Sequence, residues 1–378
     1  MASAESKQEV SGTPVRLIGA GTPVWSMSSD ERLRRMFARL DVNEISIWDG
    51  TLPPAPTCVV ISAEHVYAQV LLADLLQRPG TVLTDHGRPV AAHVPTPRVP
   101  DVAADIAAGA RARTGDLTAC EPDMLSSSYD KALRKRERPF VMPLAPDTVP
   151  AVEQRTFDGS YKGVTDFVTL YLWPRPALAV VRWCAASGIT PNMVTTASLV
   201  LVLLAMWLFW HGFFASGLLA AWLMTFLDTV DGKLARVTVT STRFGNVFDH
   251  GIDLIHPPFW YWAWAVGVST TTAPPAYLDL ALAITVIGYV VQRLQEGIFI
   301  RLFSIEMHIW RKFDSRYRLV VARRNPNLVL LTIFALAGYP GEGLIAVAAW
   351  TAVSLVVHSV QIAQALGAPR PLTSWLDR

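Results

Sequence analysis

The sequence predicts two unlike parts: an N-terminal α/β domain with a largely parallel sheet, then an α-helical membrane domain of six transmembrane helices with an interfacial helix before them. Three observations predict it. Of 378 residues 51% are hydrophobic and only 17% charged, which is skewed toward apolar for a soluble chain. The skew is local, because residues 1–150 carry 16 Lys/Arg and 18 Asp/Glu whereas residues 197–227 carry no charged side chain. Short β-rich runs alternate with helical patterns only before Pro150.

Residues 1–13 read as a disordered tail with no basic start or apolar core, so no cleaved secretory signal is expected. From residue 14 the order is VRLIGA, a capped helix from Ser28 to Leu40, EISIWD, CVVIS, a helix near His65 to Leu76, TVLTD and PVAAHV. That alternation predicts a cytosolic α/β domain over 14–150. The Pro-rich stretch PFVMPLAPDTVPAVEQRTFDGSYKG reads as a linker. TDFVTLYLWPRPALAVVRWCAASG, broken by Pro174 and Pro176 and rich in Trp and Arg, reads as amphipathic helices at a membrane interface, so 151–192 is linker plus interfacial segment.

Six segments near the roughly 20 residues needed to cross a bilayer follow within 193–368. They fall at about 193–211, 214–236, 245–268, 276–300, 327–340 and 343–366, and a cytosolic tail covers 369–378. HGFFASG, STTTAPPAY and AGYPGEG lack Lys and Arg, whereas KLARVTVTSTR and RKFDSRYRLVVARR are basic. By the positive-inside rule the basic loops and both termini face the cytosol.

A net charge of +2 with no basic stretch carrying aromatic platforms excludes a nucleic-acid binder. Cys58, Cys120 and Cys184 are far apart with no C-x-x-C spacing, so they read as scattered reduced thiols rather than a zinc site or disulfide framework.

The chemistry concentrates in LDTVDGKLARVTVTSTRFGNVFDHGID. Carboxylates at membrane depth are expensive, and a functional role is their default reading. Asp228 and Asp231 are three residues apart, Asp249 and Asp253 four, so each pair shares a helix face. A hairpin of the two helices brings the faces together. Four converging carboxylates call for hard divalent cations, Mg²⁺, Mn²⁺ or Ca²⁺, on all-oxygen ligands, and two such ions would clamp a phosphoryl group in an in-line displacement.

The spacing D-x2-D-G-x2-A-R-x8-G-x3-D-x3-D is matched by Asp228, Asp231, Gly232, Ala235, Arg236, Gly245, Asp249 and Asp253, and it resembles the signature of the CDP-alcohol phosphotransferase family. The resemblance spans about 160–370, including the Thr190-Pro191-Asn192 start of the first span. It implies two divalent cations, Mg²⁺ or Mn²⁺, with Asp228, Asp231 and Asp249 as ligands and Asp253 both touching metal and accepting the proton of the attacking hydroxyl. It also implies that Gly232, Ala235, Arg236 and Gly245 hold the cytidine diphosphate, small residues allowing close approach and Arg236 meeting the diphosphate. A homodimer is implied as well.

Outside the signature, Lys233 and Arg243 read as solvated loop or interface charges, and His250 and His256 as satisfied or capping histidines. Arg293 lies at nearly the depth of Asp231 and is a candidate for the phosphate of a phosphorylated acceptor, the alternative being an ion pair with Glu296 three residues on. Arg301, Arg311, Lys312, Arg316, Arg318, Arg323 and Arg324 read as headgroup or positive-inside charges, the alternative being that they attract an anionic substrate.

The N-terminal domain resembles, through LIGAG at Leu17–Gly21 and VVISAEH at Val59–His65, the sugar-phosphate nucleotidyltransferases fused to some members of this membrane family. Its phosphate loop reads GTPVWSMSS, without the usual G-x-R, and Glu64 stands where Asp is usual, so an inactive scaffold or regulatory domain is expected. The resulting expectation is a multi-pass enzyme of a bacterial or archaeal inner membrane, with its active site cytosolic, working in phospholipid synthesis. It would transfer a substituted phosphoryl group from a CDP-linked donor such as CDP-diacylglycerol to an alcohol such as inositol phosphate or glycerol phosphate, releasing CMP. Transfer from a soluble CDP-polyol, or a non-catalytic receptor or metal transporter, are the competing readings.

Overall fold

The computed structural model describes residues 12–111, 115–126, 129–130 and 133–377; most of the N-terminal tail expected at 1–13 lies outside these. The chain divides into two compact units. One comprises Met1–Lys131, Arg136–Tyr161 and Arg236–Thr240, the other Ala132–Lys135, Lys162–Ala235 and Ser241–Arg378.

The first unit contains strands β1 (Val15–Ile18), β2 (Ile45–Ile47), β3 (Thr57–Ser62), β4 (His65–Tyr67), β5 (Thr81–Asp85), β6 (Arg88–Pro95), β7 (Thr118–Cys120) and β8 (Val141–Pro143). Its helices include α1 (Ser29–Ala38), α2 (Gln69–Leu76), α3 (Val99–Ala108) and α4 (Val149–Gly159). Six strands form one sheet in the order β2-β1-β3-β6-β5-β7. In the central strand β3, Val59 and Ile61 enter one core with Leu33, Phe37, Leu71 and Leu75, while Cys58 and Val60 enter the other with Val99, Val102 and Ile106. A strand covered on both faces needs this unbroken apolar run, because successive side chains point to opposite faces. Burial pushes the Cys58 thiol up to about 12, in keeping with an inert buried thiol.

The sheet is mixed rather than largely parallel. β6 runs antiparallel to both β3 and β5, because β5 and β6 form a hairpin in which Asp85 faces Arg88. Its two turn residues, His86 and Gly87, have φ of +50° and +76°, the left-handed pair that matches the twist of a tight hairpin. His65–Tyr67 is a strand paired with β8, not the start of a helix; its β-branched and aromatic residues suit a pleat, and the helix begins only at Gln69. The stretch expected as a linker supplies β8 and α4 to this unit, and α3 has no counterpart in the sequence expectation.

The second unit is helical: α5 (Pro174–Ala186), α6 (Pro191–Trp210), α7 (Phe214–Val237), α8 (Arg243–Ser269), α9 (Leu278–Phe303), α10 (Lys312–Tyr317), α11 (Arg324–Leu336) and α12 (Pro340–Leu366). Gly188, at φ +69°, ends α5, and Thr190 caps α6 by accepting the Met193 N–H at 3.4 Å with Pro191 following it. Thr242 caps α8 by accepting the Gly245 N–H at 3.0 Å. Phe209, Met224, Trp260, Trp264, Leu331 and Val347 meet in the shared core. A Cβ on Gly267 would stand 2.0 Å from the Phe209 carbonyl oxygen, so α6 and α8 cross at backbone contact.

Among the described residues four helices are long and apolar enough to cross a membrane: α6, α7, α9 and α12. Their outer faces leave Leu203, Trp207, Leu219, Ile287, Leu294 and Val356 exposed, an apolar surface that water does not favour. Six were expected. α8 has 27 residues, but it is diluted by Asp249, Asp253, two histidines and two prolines. α11 has 13, about 20 Å of rise. The expected C-terminal tail is docked: Leu372 joins Phe299 and Phe303 in a small core, and the Trp375 N–H donates to the Trp310 carbonyl.

Candidate active site

α7 carries Asp228 and Asp231, and α8 carries Asp249 and Asp253. The cap at Thr242 fixes where α8 begins and hence the height at which its carboxylates meet those of α7. Oxygens of Asp228, Asp249 and Asp253 all lie within 4.8 Å of one another. Their side chains are 17%, 30% and 39% exposed, so Asp253 is the most accessible.

Asp231 stands apart from this trio. It is 3% exposed, its Oδ2 accepts the Thr195 hydroxyl at 2.6 Å, and its Oδ1 is buried with no hydrogen-bond partner among the described residues. An orphaned buried carboxylate oxygen beside three converging carboxylates is an all-oxygen donor set of the kind that hard divalent cations take, so the residues fit the metal their spacing suggested.

Arg324, the first residue of α11, donates one terminal nitrogen to Asp228 and the other to Asp253. Sequence reasoning placed it among the headgroup charges; nothing in the run VVARRNPN distinguishes it from its neighbours. Thr195 was missed too, although it lies one turn after the recognised Thr190-Pro191-Asn192 start.

Gly232, Ala235 and Arg236 are half-buried on α7. A Cβ on Gly245 would stand 2.9 Å from Asn192 Oδ1 and 3.1 Å from Thr242 Oγ1, so this glycine already makes room for the start of α6. Lys233 is not a solvated charge: it is 3% exposed, because this part of α7 is covered on several sides, Val230, Leu234 and Val237 being buried as well. Arg243 is exposed. His250 is exposed beside Asp249, and buried His256 donates Nδ1–H to the Ile252 carbonyl at 2.7 Å.

Arg293 pairs with Glu296 at 3.0 Å. The same carboxylate oxygen takes Arg323 and lies 3.3 Å from His308 Nε2. Glu296, His308 and His358 bring ligand atoms within 4.8 Å of one another, yet two guanidinium groups already oppose the single carboxylate. Burial pushes His308 down to about 3, leaving it neutral, so the surroundings are net positive and suit an anion rather than a cation.

The second unit is thus a membrane phosphotransferase built around carboxylates of two adjacent helices. Residues 188–357 match the model of the CDP-alcohol phosphatidyltransferase family, whose enzymes use a CDP-linked donor, an alcohol acceptor and divalent metal ions in phospholipid synthesis. The chain is similar to the crystal structure of apo phosphatidylinositol phosphate synthase from Mycobacterium tuberculosis, at 19% identity over 49% of this chain and 95% of that one, with a TM-score of 0.39. No curated protein matches in sequence.

Proposed function

We propose that the protein transfers a phosphatidyl group from CDP-diacylglycerol to an alcohol acceptor such as inositol phosphate or glycerol phosphate, releasing CMP. The observation that carries this reading is the meeting of Asp228, Asp249 and Asp253 within 4.8 Å inside the matched family domain. The acceptor oxygen forms a bond to the phosphatidyl phosphorus, the phosphorus–oxygen bond to CMP breaks, and the hydroxyl proton passes to a carboxylate.

Asp228, Asp231 and Asp249 would hold two divalent cations, Mg²⁺ or Mn²⁺, with Asp253 sharing one of them. When bound, the ions supply charge that stabilises the attacking and leaving oxygens and acidify the acceptor alcohol. Asp253, the most exposed of the trio, would accept the hydroxyl proton, a weak base whose task the acidified alcohol makes feasible. Gly232, Ala235, Arg236 and Gly245 form the nucleotide side, with Arg236 meeting the diphosphate by a planar cationic fork. Arg293 meets the acceptor phosphate from the guanidinium-rich surroundings of Glu296.

In this reading six helices span a bacterial or archaeal inner membrane, both termini and the site face the cytosol, the enzyme is a homodimer, and the N-terminal domain is a nucleotidyltransferase-like scaffold without activity. The deciding experiment offers purified enzyme CDP-diacylglycerol and a panel of alcohols and follows CMP. Release that depends on inositol phosphate or glycerol phosphate is expected; release only with soluble CDP-polyols as donors would overturn the assignment.

A further inference from the structure

The carboxylate trio already holds one cation. Arg324 is 15% exposed and spans two helices, one terminal nitrogen on Asp228 of α7 and the other on Asp253 of α8. A planar fork gripping two separate carboxylates is well aimed and strongly directional. Its neighbour Arg323 is bonded to Glu296 of α9, which anchors the start of α11 and limits how far Arg324 can withdraw while the site is empty of other anions. With Asp231 beside the trio, four carboxylates and one guanidinium leave three negative charges, of which a single divalent cation neutralises two. A second would leave the half-buried cluster with a net positive charge, a costly state at low dielectric unless an anion enters with it.

We propose that Arg324 keeps the second cation position closed until the donor's diphosphate arrives. Arg324 is a positioning residue: the free enzyme binds one divalent cation, and the diphosphate supplies both the negative charge that a second cation needs and an alternative partner for the displaced guanidinium. The proposal rests on reading the aspartates as a metal site.

The test is Mn²⁺ stoichiometry, measured by electron paramagnetic resonance on the full-length protein in detergent, with and without cytidine 5′-diphosphate. One Mn²⁺ per chain without nucleotide and two with it are expected. In Arg324→Met the second Mn²⁺ should bind without nucleotide, at least about tenfold more tightly than in the unmodified protein. Two Mn²⁺ in the nucleotide-free unmodified protein, or one with nucleotide present, overturns the proposal while leaving the metal site standing. No Mn²⁺ under either condition overturns the metal reading itself and the proposal with it. Should Arg324→Met fail to fold, the two measurements on the unmodified protein still decide.

Discussion

Arg293 and Glu296 sit one turn apart on α9, 3.0 Å between nitrogen and oxygen, and the carboxylate they share with Arg323 cannot neutralise both guanidinium groups. A surplus positive charge therefore remains at this depth of the helical unit. If that surplus receives the phosphate of the acceptor, Arg293→Ala should raise the acceptor KM with little change in donor binding, since a ground-state contact to one substrate is lost. A charge-assisted contact is worth about 1.5–3 kcal/mol, or roughly ten- to a hundredfold. Steady-state kinetics varying each substrate in turn checks it; equal weakening of both would mark the Arg293–Glu296 pair as purely structural.

Asp228→Asn and Asp249→Asn should each abolish Mg²⁺- or Mn²⁺-dependent CMP release, because each removes an anionic ligand from a cluster assembled around divalent charge. Retention of more than about a tenth of the turnover, a loss below about 1.4 kcal/mol, would contradict that role.

Thr195→Val should lower Mn²⁺ affinity by roughly ten- to a hundredfold, the usual effect of removing a hydrogen bond that orients a metal ligand. Asp231 has one oxygen held by Thr195 and the other without a hydrogen-bond partner among the described residues, so losing the hydroxyl leaves the carboxylate free to turn. A fall in thermal stability with unchanged Mn²⁺ affinity would place Asp231 outside the metal's ligands.

What the sequence showed and what it hid follow from how each feature is encoded. The aspartates were legible because two short spacings put them on helix faces and charge at membrane depth is costly. Arg324 was not, because a bidentate bridge and a headgroup charge look alike in a basic loop. Lys233 was misread for a similar reason: its neighbours give no hint that so many of them are covered. The β5–β6 hairpin escaped notice because His86-Gly87 is a less common left-handed pair than Asn-Gly, and one missed hairpin turns a parallel sheet into a mixed one.

Gly267→Val should destabilise the helical unit by about 1–3 kcal/mol or more, since even a Cβ would stand 2.0 Å from the Phe209 carbonyl oxygen. Separating α6 from α8 also shifts the helix that carries Asp249 and Asp253. Thermal unfolding in detergent should show the loss, and Mn²⁺ affinity should fall with it; an unchanged unfolding temperature would mean the helices can part without cost.

Whether α8 and α11 cross the bilayer is decided by two positions, Thr271 and Arg316, both exposed. If all six helices cross, Thr271 follows three crossings and Arg316 four, so from a cytosolic N-terminus Thr271 lies outside and Arg316 inside. If only α6, α7, α9 and α12 cross, Thr271 follows two and Arg316 three, and the sides reverse. The basic run 311–324 against the Lys- and Arg-free 269–277 favours the six-helix arrangement. The native cysteines are buried, so labelling of introduced thiols should stand out from background. In intact cells an impermeant maleimide should label Thr271→Cys and spare Arg316→Cys. The opposite pattern would establish four crossings and leave the basic run on the far side of the membrane from cytosolic CDP-linked substrates.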